Sequence, residues 1–372
     1  MNWPVQELVS IAEVSWGNTS TTKSSYVEHG YSAYSAAGND GFVDFFEHED
    51  NGIVLSAIGA RCGRCFWAEG KWTAIKNTIT ITRKSSSDVS LKYLFYILNR
   101  PDIWPNRGGA QPFISLGDAR KVLVPVPPLE EQKRIAAILD KADAIRQKRQ
   151  QAIVLADDFL RSVFLDMFGD PVTNPKGWDE VILKDIADIR SGVTKGKIVK
   201  EDDAITLPYM RVANVQDGYL DLSSIQEITV SQKDAKKSTL QIGDILLTEG
   251  GDPDKLGRGH VWNGEIENCI HQNHIFSVRV IDSNYIRPSF LSSVISSPRG
   301  KKYFLKVGKQ TTGIATINKT VLSEFLPFIP PLEMQDKYLG IMKKMKKLPL
   351  YSEQNYIKLF SVLSQKAFSG QL

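Results

Sequence analysis

The sequence lacks the features that would place it outside the cell or in a membrane. Three cysteines are too few for a disulfide framework, which favours a reducing compartment. No apolar run reaches the ~18 residues that a membrane span requires. Residues 1–10 have no basic-then-apolar signal pattern. We therefore expect a cytoplasmic protein that makes no contact with a membrane.

The sequence also lacks the motifs of the enzymes it could be confused with. It contains no GxxxxGK[ST] phosphate loop, no GxGxxG opening a βαβ unit and no Asn-Pro-Pro-Tyr methyltransferase motif. Residues 252–255 (DPDK) loosely resemble the acidic-lysine pattern of some nucleases, but no supporting carboxylate lies at a suitable spacing. We expect no catalytic residue and no cofactor on this chain.

What the sequence does contain is an internal repeat. Residues 127–132 (PPLEEQ) return as residues 330–335 (PPLEMQ), and the segments 108–128 and 311–331 that lead into them also align. A repeat of roughly 200 residues is far too long for a solenoid unit. The repeat therefore predicts two copies of one unit, each made of a globular module and a helical spacer.

The repeat divides the chain into four parts. Module 1 comprises residues 1–126, a central helical spacer residues 127–171, module 2 residues 172–329, and a C-terminal helical spacer residues 330–372. Both modules are predicted to be mixed α/β, so the chain belongs to the α+β class. The strongest strand predictions are residues 52–58, 77–82, 244–248 and 275–281, and the helix predictions are residues 91–98 and 289–295.

The helical spacers carry apolar residues at heptad spacing. The first spans residues 129–168, begins after Pro127 and Pro128 and ends at Gly169. At about 1.5 Å per residue, this helix would be roughly 58 Å long. The predicted seam consists of Ile135, Ile138, Ala142, Ile145, Ala152 and Phe159 on the first spacer, and of Tyr338, Ile341, Met345 and Leu348 on the second.

Two copies related by a pseudo-twofold axis predict that the spacers pair as an antiparallel coiled coil. The alternative is that each helix packs only on its neighbouring module. Pro349 lies inside the second spacer, and an interior proline kinks or breaks a helix. We expect the second spacer to be bent or to consist of two pieces.

The candidate binding residues lie in glycine-rich loops of both modules. The net charge of +4 favours a polyanionic partner only weakly, but Arg, Gln and Asn are the side chains that read base edges. The alternative is that these are ordinary solvated loop residues. The candidates for DNA contact are Arg61, Arg64, Arg107 and Gln111 in module 1, and Lys195, Lys197, Arg211, Asn214, Arg258, Lys309 and Gln310 in module 2.

A metal site is a further possibility that the repeat argues against. Cys62 and Cys65 have the spacing of half a zinc site, and the remaining ligands would have to be Cys269, His271 and His274 of the other module. An ungapped alignment of the two modules pairs Cys62 with Gly257 and Cys65 with His260. Since the second copy does without the cysteines, we expect no metal.

On these motifs the chain resembles the specificity subunits of type I restriction–modification systems. The resemblance covers the whole chain. It rests on the order of modules and helices, on the two Pro-Pro-Leu-Glu-x-Gln helix starts, on the run RIAAILDKAD at residues 134–143, and on FLDMFGDP at residues 164–171. Two departures are the short first module and Pro349.

The resemblance implies that each module reads one half of a bipartite site in double-stranded DNA. The helices would set the unread gap, and a rod of roughly 58 Å corresponds to about 17 base pairs. The helices would also dock methyltransferase subunits, two in all, and through them restriction and translocase subunits. S-adenosylmethionine, ATP and Mg would be bound by those partners.

The alternatives are a non-catalytic remnant of a fused restriction enzyme and a purely structural coiled-coil protein. Salt-dependent, sequence-selective DNA binding would separate them from a specificity subunit.

Overall fold

The computed structural model describes residues 3–105, 111–251, 256–311, 314–348, 362–363, 365–368 and 371. By its internal contacts the chain forms two units. Unit 1 consists of Met1–Ala152 and Ser352–Leu372, and unit 2 consists of Ile153–Tyr351. Each unit therefore contains one module together with parts of the helical spacers, and each is described by itself below.

Module 1 is built from short strands and three helices among its described residues. The strands are β1 Val5–Glu7, β2 Ala12–Trp16, β3 Tyr31–Ser35, β4 Gly38–Val43, β5 Gly52–Ser56, β6 Cys65–Ala68, β7 Trp72–Ala74, β8 Thr78–Arg83 and β9 Leu123–Pro125. The helices are α1 Leu8–Ile11, α2 Leu91–Leu98 and α3 Leu116–Arg120. The strands β5 and β8 and the helix α2 confirm the strands and the helix predicted in this module.

The core of module 1 lies between its largest sheet and α2. That sheet has the strand order β2-β8-β5-β6 and is antiparallel throughout. All five residues of β5 are buried, because β5 is an interior strand with both faces covered. A second sheet, β4-β3-β7, pairs β3 with β7 in parallel, and β1 pairs with β9.

Helix α4, Leu129–Phe168, follows module 1 as one continuous element of 40 residues. It begins and ends where the sequence predicts, and Glu130 and Glu131 lie in its first turn, where the helix dipole favours negative charge. Within the described ranges, no helix is both long and apolar enough to cross a membrane.

The buried side of α4 differs in part from the predicted seam. Ile135 is buried, but Ile145 and Phe159 are 57% and 49% exposed. A strict seven-residue column drifts about 20° per heptad around a straight α-helix, and the modules, rather than a second helix alone, cover the ends of α4. Three further residues of the predicted seam are half-buried: Ile138, Ala142 and Ala152. The buried side of α4 also includes residues outside the predicted seam: Leu139, Ala156, Phe164 and Phe168.

Module 2 repeats the elements of module 1 and adds others. Its strands are β10 Asp179–Glu180, β11 Ala187–Ser191, β12 Ala204–Met210, β13 Gln226–Ser231, β14 Ile245–Thr248, β15 Gly250–Gly251, β16 Gly259–Val261, β17 Ile270–His271, β18 Ile275–Val280, β19 Lys309–Thr311, β20 Ile314–Thr316 and β21 Phe328–Ile329. Its helices are α5 Leu183–Ile186, α6 Gln232–Ser238, α7 Pro288–Ser296, α8 Pro298–Val307 and α9 Lys319–Ser323. The strands β14 and β18 and the helix α7 confirm the predictions in this module.

The two modules share one topology. The order β11-β18-β14-β16 reproduces β2-β8-β5-β6, the order β13-β12-β17 with its parallel β12–β17 pair reproduces β4-β3-β7, and β10–β21 reproduces β1–β9. The helices without a described counterpart in module 1 are α6 and α8, whereas the β15–β20 pair corresponds to the isolated antiparallel bridge between Ile58 and Phe113. The additional length of module 2 therefore lies around its loops and leaves the shared frame unchanged.

Helix α10, Leu332–Lys346, pairs with the end of α4 in unit 2. The ring of Tyr338 lies 5.4 Å from that of Phe164 and 5.6 Å from that of Phe168. Lys346, further along α10, interacts electrostatically with Asp157, which lies earlier on α4. The two helices therefore run antiparallel, as predicted. Of the predicted seam on α10 and beyond, Tyr338 is buried, Ile341 and Met345 are half-buried and Leu348 is exposed.

In unit 1 the chain's C-terminal residues take the equivalent place. Ala367 is fully buried with Ile135 and Leu139 of α4, and the ring of Phe368 lies 5.9 Å from that of Tyr93 on α2. In unit 2 the equivalent contact is between Phe168 and Phe290 on α7, whose ring centroids lie 5.0 Å apart. Each module core thus holds the start of one spacer and the end of the other. Pro349 lies outside the described residues.

A buried glutamine ties the start of α4 to module 1. Gln132 is 2% exposed. Its Nε2 donates to the Pro127 carbonyl at 2.8 Å, and its Oε1 accepts the Ser90 amide at 2.8 Å. Because Ser90 is the N-cap residue of α2, this one side chain fixes two helix starts against each other.

The second copy of the motif uses its glutamine identically. Gln335 is fully buried. Its Nε2 donates to the Pro330 carbonyl at 2.9 Å, and its Oε1 accepts the amide of Arg287, the N-cap residue of α7, at 2.9 Å. The glutamine of the Pro-Pro-Leu-Glu-x-Gln motif is therefore a structural hydrogen-bonding residue in both units.

We expect Gln132→Leu to destabilise unit 1. Leucine would leave the half-buried Ser90 amide and the buried Pro127 carbonyl without partners, and a group that loses its partner in this way costs about 1–3 kcal/mol. The urea midpoint of the full chain should fall by the equivalent of about 3 kcal/mol, and the Ser90 amide should exchange faster with deuterium. The matched control is Gln151→Leu, at an exposed position of α4. Equal midpoints for the two variants would contradict the role given to Gln132.

Candidate nucleic-acid interface

The loop between β5 and β6 holds two of the candidate arginines in a tight turn. The Ser56 amide donates to the Arg64 carbonyl at 2.9 Å, and the Gly63 amide donates back to the Ser56 carbonyl at 3.0 Å. Gly59 and Gly63 have φ of +93° and +87°, a conformation that favours glycine. Arg61 and Arg64 are exposed on this turn.

A second segment lies directly beside this turn. The Gly59 amide donates to the Pro112 carbonyl at 2.9 Å, and the Ile114 amide donates to the Ala57 carbonyl at 2.8 Å. These bonds bring the exposed Gln111 next to the arginine turn. Arg107 lies outside the described residues.

Module 2 builds the same arrangement around Arg258. The Thr248 amide donates to the Arg258 carbonyl at 3.1 Å, and the Ile317 amide donates to the Glu249 carbonyl at 2.8 Å. Gly250 and Gly251 of β15 pair with β20, which pairs with β19. The strand β19 includes Lys309 and Gln310, whose side chains lie outside the described part of the structure.

The strand registers correct the ungapped alignment of the two modules. Cys65 pairs with Leu55, and Gly259 pairs with Leu247 at the equivalent place. The counterpart of Cys65 is therefore Gly259 rather than His260. Since the loops preceding β6 and β16 differ in length, an alignment without gaps slips by one residue across them. With the slip removed, Arg64 and Arg258 occupy the same position.

The Arg258 loop packs on α8, an element with no described counterpart in module 1. Gly257 has φ of +67°, and a Cβ atom at this residue would lie 2.6 Å from the Phe304 ring. Leu256 and Phe304 are both buried. Any residue other than glycine at position 257 would therefore displace either the loop backbone or the Phe304 ring.

A second group of candidates in module 2 surrounds Arg211. Its guanidinium donates to the Ser224 carbonyl at 3.1 Å. Asn214 is buried, accepts the Arg211 amide at 2.9 Å, and donates to the carbonyls of Asp221 and Ser224. The amide group of Asn214 is thus engaged within the protein, where it shapes the loop that carries Arg211.

The lysine candidates of module 2 lie on an exposed loop after β11. Lys195 and Lys197 are both exposed, and the Nζ atom of Lys197 lies 3.2 Å from the Asp234 carboxylate on α6. The Val193 amide donates to the His271 carbonyl at 2.8 Å, which holds the start of this loop against the end of β17. A positive loop of this kind suits a phosphate rather than a base.

A turn that sequence reasoning missed joins these groups into one surface. The Gln272 amide donates to the Met210 carbonyl at 2.9 Å, the Asn273 amide to the Val193 carbonyl at 3.0 Å, and the Glu249 amide to the His274 carbonyl at 2.9 Å. The run Gln-Asn-His directly before the predicted strand 275–281 could have indicated it, because all three side chains can hydrogen-bond base edges.

Of the five residues considered for a metal site, Cys62, Cys65, Cys269 and His271 are buried or half-buried, and His274 pairs with Glu249. The Sγ atoms of Cys62 and Cys65 donate to the carbonyls of Ala57 and Leu98, both at 3.4 Å, and burial raises the pKa of both thiols. Burial raises the pKa of Cys269 to about 12 and lowers that of His271. Across the described ranges, no group of three or more His, Cys, Asp or Glu side chains could hold a metal ion.

Two similar modules that carry polar loops on one repeated frame define a two-module recognition protein. A sequence profile described as the type I restriction modification DNA specificity domain matches residues 1–155 and 175–357. These two matches cover most of the chain. The chain belongs to the type I restriction–modification DNA specificity family.

Individual relatives agree with the family profile. The chain is 28% identical over 170 residues to a putative type I restriction enzyme MjaX specificity subunit of Methanocaldococcus jannaschii, covering 45% of this chain and 39% of that protein. It is 25% identical over 417 residues to the EcoBI specificity subunit of Escherichia coli, covering 98% of this chain and 80% of that protein. The chain thus matches less than half of the first relative and about four fifths of the second.

A solved structure shares the fold over nearly the whole length. The S subunit of a type I restriction–modification system from M. genitalium superposes with a TM-score of 0.60 at 16% identity, covering 99% of this chain and 96% of that one. At this identity the likeness concerns the fold, and it agrees with the repeated topology described above.

We expect Gly257→Ala to loosen the Arg258 loop. The alanine Cβ atom would meet the Phe304 ring, and a positive φ costs a residue with a side chain about 1–2 kcal/mol by itself. Hydrogen exchange of the Thr248 amide, which is bonded to the Arg258 carbonyl, should accelerate about tenfold or more. The matched control is Gly196→Ala, where φ is +88° but no atom lies within 4 Å of the added Cβ. Equal exchange rates in the two variants would show that Phe304 does not constrain the loop.

Proposed function

We propose that this chain is the DNA-recognition subunit of a type I restriction–modification complex, with one half of a bipartite site bound by each module. The proposal assigns residues 1–126 and 172–329 to target recognition and residues 127–171 and 330–372 to the spacers. The observation that carries it is the repeated arginine turn. In both modules an arginine carbonyl, that of Arg64 or Arg258, closes a turn at the end of the central strand. Both turns lie beside the segment that precedes α3 or α9.

The chemistry of these surfaces is that of recognition without catalysis. Arg61, Arg64 and Gln111 in module 1, and Arg258, Lys309 and Gln310 in module 2, would contact base edges, where arginine pairs with guanine and glutamine with adenine. Lys195 and Lys197 would contact phosphates, and Arg211 would be positioned by Asn214. Phosphate contacts hold a protein on the duplex, and base contacts specify the sequence.

The spacers would serve both as a ruler and as a docking surface. Methyltransferase subunits, two in all, would bind them and supply S-adenosylmethionine, and restriction and translocase subunits would supply ATP- and Mg-dependent chemistry. The neighbouring apolar residues Val154, Leu155 and Phe159 of α4 are all exposed and support docking, because a contiguous exposed apolar patch marks an interaction surface. An assembly on chromosomal DNA would work in the cytoplasm.

Arg64→Ala and Arg258→Ala should relax different half-sites. Each variant, co-expressed with its methyltransferase partner, should lose discrimination at one base pair by about 1–3 kcal/mol. Sequencing of methylated DNA from the cells reads both half-sites at once. The control Lys195→Ala should weaken methylation at all sites without changing the motif. Relaxation of the same half-site by both arginine variants would contradict the assignment of one half-site to each module.

Gap length should be separable from sequence specificity. Inserting four residues after Gln151 in α4 adds about one helical turn and roughly 6 Å, which corresponds to about two base pairs. The methylated motif should keep both half-sites and acquire a longer gap. The same insertion after Gly70, in the exposed connection between β6 and β7, is the control and should leave the gap unchanged. An insertion in α4 that altered the half-site bases at constant gap would contradict the ruler.

A further inference from the structure

Glu249 lies between two of the segments that form the module 2 surface. It follows β14, its amide donates to the His274 carbonyl at 2.9 Å, and its carbonyl accepts the Ile317 amide at 2.8 Å. The backbone of Glu249 is therefore held from two sides, by the Gln272–His274 turn and by the segment after β20. The side chain projects from a fixed position.

The side chain of Glu249 is also held. The His274 Nδ1 atom lies 2.6 Å from Glu249 Oε2, and His274 Nε2 lies 3.4 Å from Asn273 Nδ2. A carboxylate only accepts hydrogen bonds, so Nδ1 carries the proton, and Nε2 of that tautomer accepts from the Asn273 amide. The three side chains thus form a directed chain from Asn273 through His274 to Glu249.

This arrangement leaves one carboxylate oxygen available. Within the described part of the chain, Glu249 Oε1 has no hydrogen-bond partner, and the side chain remains 30% exposed. An oriented carboxylate with a free oxygen can accept one further hydrogen bond from outside the protein. The ligand that completes it must therefore present a donor.

A surface that contacts only phosphates would not be expected to carry the negative charge of Glu249. The charged candidates of module 2, among them Lys195, Lys197, Arg211 and Arg258, are cationic, whereas a carboxylate repels the DNA backbone. In the major groove the available donors are the amino groups of cytosine and adenine. Adenine presents its N7 acceptor beside that amino group, which would repel a carboxylate, and cytosine presents the amino group alone.

We propose that Glu249, oriented by His274, accepts a hydrogen bond from the N4 amino group of a cytosine in the half-site bound by module 2. The inference rests on the proposed function, since it requires that module 2 bind DNA in the major groove. It adds a specificity-determining residue that the sequence alone did not single out.

Module 1 provides an internal control for this inference. Ala57 is the residue of module 1 that corresponds to Glu249. Its amide donates to the Asn77 carbonyl at 3.1 Å, and its carbonyl accepts the Ile114 amide at 2.8 Å. Its side chain is fully buried and carries no charge. Changes at Glu249 should therefore leave the half-site of module 1 intact.

The test compares Glu249→Ala, Glu249→Gln and wild type, each co-expressed with the methyltransferase partner and read by sequencing of methylated DNA. Glu249→Ala should reduce discrimination at one C·G pair of the second half-site, on the order of 10- to 100-fold. Glu249→Gln keeps the shape but turns an amide donor toward the base, so the preference for cytosine should be lost or reversed. The matched control is Glu267→Gln, an exposed carboxylate elsewhere in module 2 that should leave the motif unchanged.

A second measurement distinguishes a loss of base discrimination from a loss of the folded structure. The affinity of the purified complex for DNA without the target sequence should be unchanged or higher in Glu249→Ala, because a repulsive charge has been removed. An unchanged motif, relaxation at an A·T pair, or loss of thermal stability and of all DNA binding would each overturn the inference. A wild-type complex without any bipartite motif would instead overturn the proposed function itself.

Discussion

The structure depends on one side-chain amide in each unit. Gln132 and Gln335 are buried where a module meets the start of its helix, and each bonds a proline carbonyl on one side and the N-cap amide of α2 or α7 on the other. A primary amide has one donor end and one acceptor end, so this pair of bonds can form in only one orientation. A buried backbone group without its partner would cost more than the bond contributes. The direction in which each helix leaves its module is therefore fixed by chemistry that both copies share.

This fixed frame allows the loops to differ. In module 2, α8 and the sheet β15-β20-β19 adjoin the loop of Arg258 without altering the strand order beneath it. The backbone bonds at Glu249 are the same as those at Ala57, although one side chain is a charged group and the other a buried methyl. A different surface can thus be built on an unchanged frame, which is the property that the proposed recognition of two different half-sites requires.

Local signals in the sequence predicted most of the frame. The repeat, the bounds of α4 and the main strands followed from periodicity, prolines and glycines, which act over a few residues. Contacts between distant segments could not be predicted in this way. The exposure of Ile145 depends on which side of α4 is covered by a module core. The counterpart of Arg64 depends on strand register across loops of unequal length. The internal role of Asn214 depends on carbonyls several residues away that only the folded loop brings together.

The same reasoning explains why candidate side chains such as Arg64 and Arg258 lie on turns, although Lys309 and Gln310 lie on the strand β19. A turn closed by backbone bonds, as between Ser56 and Arg64, fixes the backbone while leaving the side chain free to reach outward. Ordering a free arginine on binding costs about 1–2 kcal/mol of side-chain entropy. Module 2 reduces that cost at two points, since Lys197 pairs with Asp234 and Glu249 pairs with His274 in the absence of any ligand. Side chains that are already oriented discriminate between bases through geometry, because a misplaced donor or acceptor cannot be accommodated by rotation.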